Sequence, residues 1–112
     1  MIAGAPATRL MVFLTEDDRL AHHSTAEVLL KRAHEAGLAG TTIWRGIEGF
    51  GASGHVRAAR LPDLARGLPL VVEVIDTEEA VTGFLPVVRE LADGALVTIE
   101  TVHISRSPAT SR

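Results

Sequence analysis

The chain has no cysteine and no tyrosine, and its 112 residues include a single tryptophan. Without thiols it can form neither a disulfide nor a thiolate metal site, and it has no cysteine nucleophile. No apolar run approaches the roughly 20 residues that span a bilayer, so we expect no direct membrane insertion. The first eight residues also lack the basic start and long apolar region of a signal peptide. These absences favour a cytoplasmic protein.

Neither sign of charge dominates the composition. Eleven lysines and arginines oppose 14 aspartates and glutamates, and the net charge of −3 argues against a nucleic-acid binder. The content of hydrophobic residues, 46%, is that of an ordinary globular protein. We expect a single domain over residues 9–104. Residues 1–8 and 105–112 are expected to be flexible tails, because proline, serine and threonine interrupt the apolar pattern there.

Four segments have the pattern of β-strands. Leu10–Leu14 and Pro69–Asp76 are short apolar runs, and from Thr42 the apolar residues recur with a period of two. The last strand, about residues 96–104, carries apolar residues on two phases. This change of phase predicts a β-bulge near residues 100–101.

Two helices are predicted between these strands. Ser24 and Glu27 have the spacing of a capping box, which predicts a helix over Thr25–Ala36 that ends at Gly37. The second helix is expected to be capped by Thr77 or by the aspartate before it, and its apolar stripe points to the same core.

The resulting order, βαββαβ, predicts an α+β, ferredoxin-like sandwich with two helices on one face of a four-stranded antiparallel sheet. We expect the first and third strands to be neighbours and to form a parallel pair within it. Both phases of these strands are apolar, as Val12 and Phe13 illustrate. Leaving the second face in water would forfeit several kcal/mol, so we predict an oligomer that covers it.

The most distinctive stretch is residues 43–54, where a strand enters a glycine-rich turn. A long loop follows over about residues 51–67, and its three arginines, Arg57, Arg60 and Arg66, against one aspartate give a formal charge of +2. A backbone without Cβ atoms beside guanidinium groups suits a bound anion. We therefore expect the function to depend on this region.

Five phrases occur in order along the chain: LMVFLTEDDR from Leu10, HHS from His22, LLKRA from Leu29, AGLAG from Ala36 and RGIEGFG from Arg45. Together they resemble the DUF190 family, also called UPF0166, of PII-like proteins, over about residues 9–104. The resemblance implies a homotrimer with its sheets packed inward. It also implies that an adenine nucleotide (ATP, ADP or AMP) binds in the clefts between subunits.

In PII proteins the long loop is the signalling T-loop, so the resemblance implies that residues 51–67 report ligand binding to a partner protein. Members of this family often occur near fluoride-channel genes, which suggests a membrane channel or transporter as that partner. Unlike true PII proteins, this chain has no lysine-containing phosphate loop before its last strand, where Leu91–Leu96 is short. The glycine-rich strand end must then supply more of the phosphate contacts.

The candidate nucleotide-binding residues are Arg45, Gly46, Glu48, Gly49, Phe50, Gly51, His22 and His23, and the loop arginines Arg57, Arg60 and Arg66 are the candidate partner contacts. Arg45 offers a bidentate guanidinium fork, and the glycines let backbone amides approach a phosphate. The alternative is that the glycines serve the twist and packing of the strand end.

A second functional hypothesis is a metal-responsive trimer similar to the divalent-cation tolerance proteins, which have the same fold. It would use His22, His23 and nearby carboxylates, but adjacent histidine side chains diverge and rarely bind one metal ion together. The acidic run Glu16–Asp18 lacks EF-hand spacing and is expected to be a solvated turn. No catalytic signature stands out, so we predict a non-enzymatic protein with no required cofactor and no bound metal.

Overall fold

The computed structural model describes residues 4–51 and 53–105. In chain order its elements are β1 (Ala5–Thr15), β2 (Arg19–Leu20), β3 (His23–Ser24), α1 (Thr25–Glu35), β4 (Gly40–Arg45), β5 (Glu48–Gly49), β6 (Arg57–Ala58), a 3-10 helix (Pro62–Leu64), β7 (Pro69–Asp76), α2 (Glu78–Leu91) and β8 (Leu96–Ile104). The four long strands and the two helices follow the predicted order. None of the helices in the described part of the chain is long and apolar enough to cross a bilayer.

Strands β4, β7, β1 and β8 form one sheet in that spatial order. Leu10 of β1 lies opposite Val74 of β7 on one side and Ile99 of β8 on the other. Helices α1 and α2 pack on one face, which confirms the ferredoxin-like sandwich.

The expected parallel pair of first and third long strands is wrong, because β1 and β7 are antiparallel neighbours. Each helical crossover does produce a parallel strand, but that strand lies two positions away. From β1 the chain passes through α1 to β4, and β7 occupies the position between them.

The first strand begins at Ala5, inside the segment predicted to be a flexible tail. Residues Ala5–Thr8 pair with residues 101–104 of β8, and both Ala7 and Thr8 are buried. The tail prediction is therefore wrong for these four residues, because their pairing partner is about 95 residues away in sequence and leaves no local signal. Residues 1–3 and 106–112 of the two predicted tails lie outside the described residues.

Strand β8 contains no bulge. Every residue of Ala5–Phe13 pairs in turn with one residue of Leu96–Ile104, so the bulge predicted near residues 100–101 is wrong. The two apolar phases serve different faces of the sheet. Val97 packs against the core under the helices, whereas Val102 lies on the opposite face, where its partner is Ala7.

The core lies between the helices and the sheet. The largest fully buried side chains are Leu10, Val12, Leu29, Val72, Val74, Val81 and Val88. In α1 the buried stripe is the predicted one, with Leu29 at its centre, although Leu30 beside it is 37% exposed.

Helix α1 begins at Thr25 as predicted, but Ser24 makes no capping hydrogen bond with its side chain. In the β2–β3 hairpin, Ser24 lies in β3 and pairs with Arg19 of β2. This pairing fixes the orientation of Ser24. In α2, by contrast, the Thr77 hydroxyl accepts a hydrogen bond from the Ala80 amide at 3.2 Å. The hairpin thus replaces the predicted capping box in α1.

This difference predicts unequal effects of alanine at the two caps. Thr77→Ala is expected to lower the free energy of unfolding by about 1 kcal/mol, because the Ala80 amide loses its acceptor. Ser24→Ala is the matched control and should change it by less than about 0.5 kcal/mol. Urea denaturation followed by circular dichroism measures both values. Equal losses would contradict these cap assignments.

The face of the sheet opposite the helices, here called the open face, carries an apolar row at one end. Trp44, Val71, Phe13 and Leu96 are in register across all four strands. Trp44 is 56% and Leu96 65% exposed. The open face therefore presents a continuous apolar strip to its surroundings.

The other end of the open face is charged. Arg9 donates from Nε to the Glu100 carboxylate at 2.7 Å, and its guanidinium lies 3.8 Å from Glu73. The expectation of an apolar second face thus holds for the apolar row and not for the whole surface. Alternating strand residues allow this, because Arg9 faces away from the helices and needs no place in the core.

Candidate functional site

The first candidate residue, Arg45, is the last residue of β4 and forms an ion pair with Glu16. Its NH2 group lies 3.2 Å from Glu16 Oε2, and 62% of its side chain is exposed. The other carboxylate oxygen, Oε1, accepts a hydrogen bond from the Leu68 amide at 2.9 Å, and the Glu16 amide donates to the Leu68 carbonyl at 3.0 Å. Glu16 therefore joins both ends of the β4–β7 connection, residues 46–68.

Two of the candidate glycines are explained by packing against Pro69. The Gly46 amide donates to the Pro69 carbonyl at 2.7 Å, so this amide already has an acceptor. A Cβ atom on Gly46 would lie 2.9 Å from the Pro69 Cβ, and one on Gly49 would lie 3.2 Å from its Cγ. Of the three, Gly51 alone has no atom of the described residues, apart from its own chain neighbours, within 4 Å of the position of a Cβ. These contacts support the packing role for Gly46 and Gly49 and leave Gly51 as the accessible backbone position.

The β4–β7 connection contains more regular structure than the long loop predicted over residues 51–67. Strands β5 and β6 pair as a short hairpin, with Glu48 opposite Ala58, and the 3-10 helix follows. Glu48 accepts a hydrogen bond from Arg60 Nε at 3.2 Å across this hairpin. This candidate ligand-binding carboxylate thus has a partner within the connection.

The hairpin leaves apolar and cationic side chains in solvent. Ile47 is 78% and Phe50 72% exposed. Arg57 is half-buried in β6 and Arg66 is exposed near the end of the connection. Among residues 4–51 and 53–105, neither arginine forms an ion pair. The surface therefore combines apolar side chains with two guanidinium groups that lack carboxylate partners in this part of the chain.

His22 and His23 lie in the β2–β3 hairpin and both are exposed. The His22 carbonyl accepts a hydrogen bond from Arg19 NH1 at 3.1 Å. Within the described ranges, no hydrogen bond or ion pair joins either histidine to residues 45–51. Within the described part of one chain, the two sets of candidate residues are therefore not joined by these interactions.

The acidic run before that hairpin forms a hydrogen-bonded turn. Asp18 Oδ2 accepts from the Thr15 amide at 2.7 Å, and Asp17 lies against Gly67, whose φ of 66° favours glycine. Glu16 was expected to be solvated, and its contact with Arg45 was missed. This contact depends on how β1, β4 and β7 align with one another, and local sequence does not show that alignment. In the residues described, no group of three or more metal-ligating side chains is assembled.

Comparison with known proteins places this arrangement in a family. The family model DUF190, described as Uncharacterized ACR, COG1993, matches residues 7–104. The chain belongs to the DUF190 family. A UPF0166 protein of Aquifex aeolicus is 38% identical over 95 residues, which cover 85% of this chain and 90% of that protein. The resemblance found in the sequence phrases is confirmed.

Two of the solved structures similar to this DUF190 protein are those of PII-like proteins. CPII of Thiomonas intermedia K12, bound to ADP and bicarbonate, has a TM-score of 0.62 at 23% identity and covers 91% of each chain. A putative PII-like signaling protein of Thermus thermophilus has a TM-score of 0.64 at 20% identity, covering 88% of this chain and 89% of its own.

A divalent cation tolerance protein, CutA of Archaeoglobus fulgidus, is also similar, with a TM-score of 0.55 at 17% identity. The match covers 90% of this DUF190 chain and 86% of the CutA chain. These likenesses establish the PII-like, ferredoxin-like fold of the chain. They include both groups of proteins that the sequence had suggested.

Proposed function

We propose that this DUF190 protein is a homotrimeric, non-enzymatic PII-like signalling protein that binds an adenine nucleotide between subunits. The observation that carries the proposal is the exposed Arg45 guanidinium at the sheet end, beside a hairpin that bears Phe50 and Gly51. A guanidinium fork suits a phosphate, and an exposed aromatic ring suits a base. The similar fold of CPII, which binds ADP, supports the same ligand class.

The open face supports the assembly. Its apolar row would be covered when subunits pack their sheets together, and this burial is the main favourable term in association. Packing of this kind brings a second chain to the sheet end near Arg45. In the proposed trimer His22 and His23 of one subunit complete a site that Arg45 of another begins.

Arg45 carries more of the phosphate binding in this proposal than its counterparts would in true PII proteins. The turn between α2 and β8 is closed by a hydrogen bond from Ala95 to Ala92, and Leu91–Leu96 contains no lysine. The Gly46 amide is already hydrogen-bonded to Pro69. Arg45 and the accessible backbone at Gly51 are therefore the proposed phosphate-binding groups of this strand end.

The β4–β7 connection is the proposed reporter to a partner protein, with Arg57, Arg60 and Arg66 as contacts. A membrane channel or transporter is the proposed kind of partner. Ion pairing across the hairpin occupies Arg60, so Arg57 and Arg66 are the stronger contacts for an acidic partner surface. The cytoplasmic location expected from the sequence stays a prediction.

Thermal unfolding in the presence of separate ligands tests the proposal. ATP, ADP or AMP is expected to raise the melting temperature, because a ligand at 100 times its Kd stabilises the folded state by about 2.7 kcal/mol. Cyclic AMP and divalent cations are measured in parallel. If only a divalent cation raises the melting temperature, the nucleotide proposal is wrong and the metal-responsive alternative takes its place. The similarity to CutA is the reason for including that alternative.

A further inference from the structure

We infer that Glu16 limits the preference of the Arg45 site for anionic over neutral ligands, because its carboxylate competes with the ligand for the guanidinium. The inference rests on the proposed function and assigns a role to a residue outside the expected site. Glu16 is bound to the backbone of Leu68, Arg45 is the more exposed member of the pair, and an anionic ligand adds negative charge beside the Glu16 carboxylate.

Glu16 is fixed at three points. Its amide and its Oε1 both bond to Leu68, at 3.0 Å and 2.9 Å, while Oε2 faces Arg45 at 3.2 Å. Its side chain is 32% exposed, against 62% for Arg45. Because one oxygen is tied to the backbone, the carboxylate stays in place when the more exposed Arg45 turns toward a ligand.

A phosphate that binds Arg45 must therefore displace the Glu16 carboxylate from the guanidinium or lie close to its negative charge. In either case an anion binds more weakly than it would at the same site without the Glu16 charge. A neutral nucleoside meets no such penalty, but it also gains nothing from Arg45. The pair therefore lowers the affinity of the site for anions relative to neutral ligands, and repulsion by the carboxylate grows with the negative charge of the ligand.

Glu16→Gln is the variant that isolates this effect. The glutamine keeps an oxygen that can accept from the Leu68 amide, so the base of the connection retains its hydrogen bond, but the charge beside Arg45 is lost. Glu90→Gln on α2 removes the same charge from an exposed helix residue that has no ion pair in the described chain. This control separates the local effect from the change in net charge.

Titration calorimetry of the wild type and both variants with ADP and adenosine is the test. For Glu16→Gln the Kd of ADP is expected to fall about three- to tenfold, which corresponds to about 0.7–1.4 kcal/mol at 1.4 kcal/mol per tenfold change. The Kd of adenosine should stay within about twofold. Glu90→Gln should leave both values within about twofold, and thermal melts should show that every variant is folded.

Phenylglyoxal modification provides a readout that needs no nucleotide. Loss of the ion pair should increase the rate at which Arg45 reacts, as measured by peptide mass spectrometry. If the wild type binds ADP but Glu16→Gln binds it equally or more weakly, the inference is overturned and the proposed function stands. If neither protein binds ADP, the proposed function fails and the inference fails with it.

Discussion

Replacing Phe13 by aspartate is expected to convert the proposed oligomer into monomers. Phe13 lies at the centre of the apolar row, between Val71 and Leu96, and is 38% exposed in the isolated chain. Burying a large apolar side chain contributes about 1.5–3 kcal/mol when burial is complete, so covering the exposed part contributes less at each copy. An aspartate there loses this gain and places an unpaired carboxylate in each interface, which costs far more.

The matched control is Leu30→Asp, because Leu30 is 37% exposed on α1 and does not belong to the open face. Light scattering at micromolar concentration should give an oligomer for the wild type and for Leu30→Asp, and a monomer for Phe13→Asp. Circular dichroism checks that each variant is folded. A monomeric wild type, or a folded Phe13→Asp variant that remains assembled, would refute packing through the open face.

The second large effect is expected for Arg45→Ala, which should weaken nucleotide binding about 10- to 100-fold. Hydrogen bonds to charged groups contribute about 1.5–3 kcal/mol, and 1.4 kcal/mol corresponds to a factor of ten in Kd. The oligomer should remain intact, because Arg45 is 62% exposed and its ion pair with Glu16 lies at the surface. Titration calorimetry with ADP measures the loss.

Two further variants make this result specific. Arg45→Lys keeps the charge but not the planar fork, so its affinity should fall between those of the wild type and the alanine variant. Arg89→Ala removes a cation from the exposed surface of α2 and should bind ADP as the wild type does. If Arg45→Ala binds nucleotide with unchanged affinity, Arg45 does not belong to the site.

Most of the subunit could be predicted from local sequence. The run Pro69–Asp76 was predicted to be a strand and is one, with the same bounds, and α1 begins at Thr25 as expected. Periodicity succeeds here because each element buries one face, and burial selects apolar residues at fixed intervals. The errors occurred at Ala5–Thr8, at the expected bulge and at the Ser24 cap, where contacts outside the element decide the backbone.

The candidate site was less accessible to sequence reasoning. Gly46 and Gly49 are candidates because glycines often surround phosphates, yet a Cβ at either position would crowd Pro69, which lies 20 or more residues away in sequence. Glu48 is a candidate ligand contact, and its partner in this structure is Arg60. A glycine or a charged residue can have several roles, and its type alone does not distinguish them. Its neighbours in the structure must be known before a role can be assigned.

The sequence by itself determined the family, the order of strands and helices, and the apolar residues that form the core, because these depend on local periodicity and on phrases that occur in order. Only the tertiary structure decided the direction of neighbouring strands, the alignment of the apolar row and the contact between Glu16 and Arg45. Each of these depends on register across several strands. The apolar pattern excludes a slip of one residue, which would exchange the two faces, but a slip of two residues keeps each side chain on its face, so pairing between distant segments decides the register.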